Sequence, residues 1–322
     1  MEVAAFAPFA SPVILFFLLG LLASALRSDL AIPEAMAKGM SLYLMAAIGL
    51  KGGVAVAKSG VNAEVAAALL AGLTLSFAIP ILAYAALRRF ARLDQINAGA
   101  VAAHYGSVSV VTFVTANELL GASGLVVAGF MVAVLAVMET PAILSGLMLA
   151  RRGSASDGQA RGELLREVFL NASVVLLLGS FAIGLIAGPK GYAEVQPLFE
   201  SGFKGVLCLF LLDMGLIAAR RLIDARALNL RLATLAIAFP LVNGTLGVVV
   251  GNLIGLDTAT AAALGVLCAS ASYIAVPAAM RLALPQADPG IYLTMSLSIT
   301  FPFNILIGIS LFGEMSRWLS AN

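Results

Sequence analysis

Apolar residues in this chain come in long blocks, not in the alternation of a strand or the one-sided stripe of a surface helix. Ten blocks stand out, at about 11–26, 35–57, 63–87, 96–117, 122–150, 168–188, 199–219, 230–254, 257–282 and 290–316. Most match the roughly 20 residues that a helix needs to cross hydrocarbon. A helix apolar on all sides is buried or in lipid, not in water. Short polar punctuation separates the blocks: Arg27-Ser28-Asp29, Lys58-Ser59-Gly60, Arg88-Arg89, Arg151-Arg152-Gly153, Gly188-Pro189-Lys190 and Arg220-Arg221. The longest polar insertion, Arg151 to Glu167, lies between the fifth and sixth blocks and reads as a flexible linker. The pattern predicts an all-α integral membrane protein of about ten transmembrane helices. Residues 1–150 and 168–322 form five-helix halves around the linker at 151–167.

The two halves repeat. Lys38-Gly39-Met40-Ser41 followed by Ile48-Gly49-Leu50 returns as Lys204-Gly205-Val206-Leu207 followed by Met214-Gly215-Leu216. The block that runs into Pro80 returns running into Pro240. Ser107-Val108-Ser109 returns as Ser270-Ala271-Ser272, and Glu139-Thr140-Pro141 loosely as Thr300-Phe301-Pro302. An odd number of spans per half puts the second half into the membrane upside down. In membrane proteins such an inverted repeat points to a secondary transporter, with its site where the halves meet.

Composition agrees with the membrane reading. Apolar residues make up 61% of the chain and charged residues 11%, against about 25% charged in soluble domains. Mean hydropathy is +1.03. The net charge of +2 and the absence of a basic cluster give no expectation of nucleic acid as a partner. Cys208 and Cys268 lie in apolar runs and read as buried, reduced thiols. The first block lacks a basic leader and reads as a span, not a cleavable signal. Thirteen arginines fall in alternate loops, from Arg27 through Arg281, whereas the opposite loops and end hold only Lys58, Lys190 and Arg317. The positive-inside rule then makes the first set cytoplasmic and places both termini outside. The expected location is a bacterial inner membrane.

The fourth span of each half is anomalous. His104-Tyr105-Gly106-Ser107-Val108-Ser109-Val110-Val111-Thr112 puts five hydrogen-bonding side chains and a glycine in mid-membrane. Its counterpart is Ala269-Ser270-Ala271-Ser272-Tyr273-Ile274-Ala275-Val276-Pro277, where Pro277 predicts a helix broken near Tyr273 to Pro277. Freed backbone groups are tolerated in lipid only where they line a cavity or meet a ligand. Two broken helices from inverted halves would oppose their N-termini near the midplane, which suits an anion. Candidate substrate residues are Gly106, Ser107, Ser109, Ser270, Ser272 and Tyr273. The competing reading is that small residues here only let helices approach.

Ionisable residues within spans are candidates because burying charge in the bilayer is costly. They are Lys51, His104, Glu118, Glu139, Asp213 and Arg281. Glu139, beside Pro141, is the leading cation ligand or counter-charge, with Thr112 and, by repeat symmetry, Thr300 and Asn304. Lys51 lies near its span's end and is expected to snorkel. Glu118 and Arg281 occupy equivalent, headgroup-level positions. His104 reads as packing before proton relay, and Asp213 as a helix contact or subunit interface.

Ile32-Pro33-Glu34-Ala35, Ile48-Gly49-Leu50-Lys51-Gly52-Gly53, Gly106-Ser107-Val108-Ser109, Pro141-Ala142 and Ala269-Ser270-Ala271-Ser272 through Pro277, Arg281 and Pro285 resemble the sodium-dependent bicarbonate transporter family, in order along the chain. The resemblance implies a gate domain and a core domain, crossed broken fourth and ninth helices, and a homotrimer. It also implies sodium as coupling ion, bicarbonate as substrate and a small PII-type regulatory protein as partner. The chain departs from the cyanobacterial pattern, having Tyr273 and Glu139 at aspartate positions and a much shorter interdomain loop.

Three transport readings stand: a sodium-coupled symporter for bicarbonate, one for another small organic anion such as a carboxylate, and a proton-coupled exchanger using His104 and Glu139. An intramembrane enzyme is disfavoured, since no metal cluster or catalytic dyad is visible, and no covalently bound cofactor is expected. A passive scaffold or receptor is disfavoured by the two polar mid-membrane segments.

Overall fold

The computed structural model describes residues 11–60, 62–151, 172–223 and 228–321. All of the linker after Arg151 lies outside them. The described chain is helical, with no strand among the described residues. The first half comprises α1 (Pro12–Ala25), α2 (Glu34–Ser59), α3 (Ala63–Ala86, prolonged by a wider π-type turn at Leu87–Ala91), α4 (Gln95–Gly106), α5 (Val110–Ala122) and α6 (Met131–Ala150). The second comprises α7 (Ala172–Gln196), α8 (Phe203–Ile223), α9 (Leu230–Leu253), α10 (Thr258–Ala269), α11 (Ala275–Ala283) and α12 (Pro289–Ala321).

Among the described residues, seven helical stretches are long and apolar enough to cross a membrane: Glu34–Lys58, Ala63–Ala91, Gln95–Ala122, Met131–Ala150, Val174–Ser201, Leu230–Leu253 and Pro289–Ala321. Pro12–Ala25 and Thr258–Ala269 are shorter apolar helices. α8 is 21 residues long but carries Lys204, Asp213, Arg220 and Arg221. Leu15, Leu19, Phe77, Ile81, Ile183 and Ile186 face outward, the side that lipid solvates.

The same capping chemistry recurs in both halves. Asn62 accepts from the Val65 N–H and Asn229 from the Leu232 N–H, each at 3.0 Å. Asp94 accepts from the Asn97 N–H at 2.9 Å, and Asp257 from the Thr260 N–H at 3.0 Å. Short polar side chains of this kind satisfy the orphan donors of a helix start. α4 and α10 are both 12 residues long.

The helices pack in two groups. α1 lies along α8 and α2 along α7, while α3, α4 and α6 pack together and α9, α10 and α12 pack together. The first pairings need missing side chains. A Cβ on Gly20 would lie 2.1 Å from the Leu212 carbonyl oxygen, and one on Gly53 would lie 2.0 Å from that of Phe181. Small residues let helix backbones meet in this way.

Several boundaries differ from the apolar pattern. The fifth block was expected from 122, but α6 starts at Met131. Gly124 takes φ +79° and turns the chain, so Leu125, Val126 and Val127 lie in the connection. Gly188 (φ 59°, ψ −164°) bends α7 at the end of the sixth block. The helical segment after it continues through Gln196 into Pro197–Ser201.

Candidate functional site

Two breaks interrupt the core. α4 ends at Gly106, Ser107 is extended (φ −82°, ψ 168°), and Ser109 is the N-cap of α5, its hydroxyl accepting from the Thr112 N–H at 3.2 Å. α10 ends at Ala269, Ser270 is extended (φ −76°, ψ 161°), and α11 begins at Ala275. The second break spans Ser270–Ile274, overlapping the expected Tyr273 to Pro277 at Tyr273 and Ile274 but ending before Pro277. Pro277 is instead the third residue of α11, where a helix has no use for its N–H.

The two breaks cross. The Ser109 N–H donates to the Ser270 hydroxyl at 3.0 Å, and the Ser272 N–H donates to the His104 carbonyl at 2.9 Å. Two of the hydroxyls donate elsewhere: Ser107 to the Glu139 carbonyl of α6 at 3.2 Å and Ser270 to the Leu267 carbonyl of its own helix at 2.7 Å. All four serines are buried, at 0–4% exposure, so each hydrogen bond is made away from water and is costly to leave unmade.

Beside the crossing lies a cavity of about 20 Å³, lined by Ser41 and Met45 of α2, Ser109, Glu139 of α6, Ser272 and Tyr273, among others. That is about the room of one water molecule. Val110 and Ala275 also line it, so the first residues of α5 and α11 are at its wall. Helix starts carry unsatisfied N–H groups and partial positive charge. Glu139 is 2% exposed, and its Oε2 has no hydrogen-bond partner. The cavity therefore pairs anion-favouring helix ends with a buried glutamate, one of whose carboxyl oxygens has no hydrogen-bond partner.

The structure brings Ser109, Ser272, Tyr273 and Glu139 to one cavity. Ser107 and Ser270 stand behind them in the crossing. Gly106 faces elsewhere: a Cβ there would lie 2.1 Å from the Pro80 ring, so it serves close packing of α4 on α3. Thr112, Thr300 and Asn304 do not line the cavity. Thr300 donates to the Ala236 carbonyl at 2.6 Å and lies 2.7 Å from the Tyr105 hydroxyl. The Asn304 amide donates to the Ala269 carbonyl at 2.8 Å, holding the C-terminal end of α10, and its Oδ1 is buried without a partner. His104 packs at 4.5 Å against the Tyr292 ring. Among the described residues no group of three or more His, Cys, Asp or Glu could hold a metal ion.

Ser41 and Met45 escaped the sequence reading as site residues. Ser41 belongs to the Lys38-Gly39-Met40-Ser41 motif, which had been read only as a repeat marker. The available signal was a serine in the first half where the repeat has Leu207 in the second.

A search of the curated proteins finds no match. The family model described as the Na+-dependent bicarbonate transporter superfamily matches residues 12–317. The match starts in the first turn of α1, ends in the last turns of α12 and runs through both crossed breaks. The chain therefore belongs to the Na+-dependent bicarbonate transporter superfamily, a family of transporters and not of enzymes.

Proposed function

We propose that this protein is a sodium-coupled symporter that imports a small anion, bicarbonate foremost, by alternating access. One observation carries the reading: two crossed helix breaks put the starts of α5 and α11 beside a cavity that the buried Glu139 also lines, its Oε2 without a hydrogen-bond partner. Bicarbonate has four heavy atoms and needs only short donors, which Ser109, Ser272 and the backbone N–H groups supply. Sodium takes oxygen ligands at such unwound segments, and Glu139 supplies a charged one. Ser107, Ser270, Thr112 and Asn304 brace the crossed breaks through the hydrogen bonds described above, and Thr300 ties its helix to the Ala236 carbonyl; none of the five lines the closed cavity.

The cavity has room for about one water, so the described conformation is closed around the site. Ser41 and Met45 come from the α1, α2, α7, α8 group and the other lining residues from the α3–α6 and α9–α12 group. Sliding one group against the other would open the cavity. The matching Asn and Asp caps, the equal lengths of α4 and α10, and the equivalent crossings of α1 with α8 and α2 with α7 support a five-plus-five inverted repeat of ten spans. The arginine distribution supports both termini outside a bacterial inner membrane. Homotrimer assembly and a PII-type regulator rest on family membership alone.

Counterflow tests the substrate. Proteoliposomes loaded with unlabelled bicarbonate should draw in labelled bicarbonate, and acetate or formate inside should support this poorly. Exchange driven equally well by those carboxylates would favour the organic-anion reading.

A further inference from the structure

The proposed anion reading leaves a second space unexplained. A cavity of about 300 Å³ lies between α2, α5, α6 and the start of α8, next along the same helix faces as the small site. On α5 the small cavity takes Ser109 and Val110, and the larger one takes Phe113, Asn117, Glu118 and Gly121. On α2 the small cavity takes Ser41 and Met45, and the larger one Ile48, Lys51, Gly52 and Ala55. Steps of three and four residues keep each set on one side of its helix. Exposure grades along the path: Phe113 is 1% and Ile48 6% exposed at the inner end, and Val126 is 80% exposed at the mouth.

The charges along this path are unevenly paired. The Glu118 carboxylate is 3.7 Å from the Lys204 ammonium. Glu200, across a neighbouring cavity of about 420 Å³, accepts from the Gln196 amide at 2.6 Å; Lys51 and Lys58 line that cavity too. Lys51 lines both spaces, and its ammonium lies 5.2 Å from the centre of the Phe203 ring, an aromatic contact that holds it in place without neutralising it. The Asn117 Oδ1 is buried with no partner.

We infer that the space between α2 and α5 is the access vestibule of the anion site, with Lys51 as the residue that gathers small oxyanions and Phe113 with Ile48 as the closed inner gate. A cleft with low-dielectric walls focuses the field of an unpaired charge and raises the local concentration of the opposite ion. Lys51 then acts before binding, on encounter, and Ser109 and Ser272 act at the site itself.

Thiol labelling tests this without relying on bicarbonate. In N117C, the negatively charged sulfonatoethyl methanethiosulfonate should react faster than the positively charged trimethylammonioethyl reagent. The expected preference is about 3- to 10-fold once each rate is divided by that with free cysteine. The native Cys208 and Cys268 are buried. K51Q should abolish the preference and K51R should keep it. No labelling by either reagent, or a preference that K51Q leaves intact, overturns the proposal. In uptake, K51Q should raise the KM for bicarbonate about 3- to 10-fold with the maximal rate within twofold. An unchanged KM contradicts the gathering role. Failure of the unaltered chain to move bicarbonate would count against the proposed function and leave the labelling result to decide the vestibule.

Discussion

The backbone N–H of Ser109 donates to the hydroxyl of Ser270 at 3.0 Å, joining two helix breaks 161 residues apart in the chain. Replacing Ser270 by Ala removes the acceptor and leaves a buried N–H unmatched, at a cost of about 1–3 kcal/mol. S270A should therefore unfold at a lower temperature in detergent. Wild-type thermal stability with weakened anion affinity would move Ser270 into direct substrate contact.

Ser272 is expected to behave in the opposite way. Its hydroxyl lines the cavity and makes only a long 3.4 Å contact with the Val276 N–H. Losing a hydrogen bond to a charged ligand costs about 1.5–3 kcal/mol, or roughly 10- to 150-fold in affinity. S272A should show that loss in bicarbonate uptake with unchanged thermal stability. Normal uptake would assign Ser272 to packing.

Glu139 is the proposed cation ligand. E139Q keeps the shape and one oxygen but removes the charge, so the fold should survive. The sodium concentration for half-maximal uptake should rise at least about tenfold, the effect of losing about 1.4 kcal/mol. The anion KM at saturating sodium should shift much less. Unchanged sodium activation would make Glu139 a structural residue, whose carbonyl holds Ser107 and whose carboxyl does no ion binding.

The helix crossings make a prediction about stability alone. A Cβ on Gly20 would strike the Leu212 carbonyl, and one on Gly215 that of Phe17 at 2.3 Å, whereas Gly39 and Gly205 face open space. G20A and G215A should each lose about 1–3 kcal/mol by overpacking, and G39A and G205A should melt like wild type. Equal melting of all four would mean that α1 and α8 do not meet at these glycines.

The candidate site was legible where chemistry broke the apolar pattern twice at one spacing. Ser107 with Ser109 and Ser270 with Ser272 show it because polar side chains are conspicuous in lipid. Their division of labour was not legible. Four serines of identical chemistry differ only in which way the crossed breaks turn them: Ser270 into the crossing, Ser107 towards the Glu139 carbonyl of α6, and Ser109 and Ser272 towards the cavity. Ser41 and Met45 were hidden because α2 approaches the site from another part of the chain, and neither residue disturbs its helix. Asp94 and Asp257, spaced like the serine pairs, were a readable mark of the two half-helix starts. Loop 123–130 was misread because Leu125, Val126 and Val127 look like span, and only the left-handed Gly124 betrays the turn. Pro277 was read as the breaker because proline disrupts helix interiors, but in a first turn it fits.

The central claim is that sodium drives a small anion through the crossed breaks. The most direct test is uptake of labelled bicarbonate into proteoliposomes under an inward sodium gradient, repeated with choline replacing sodium. The account predicts accumulation above the external concentration in sodium, none in choline, and in E139Q a sodium effect that needs at least about tenfold more sodium. Equal uptake in sodium and choline would contradict it.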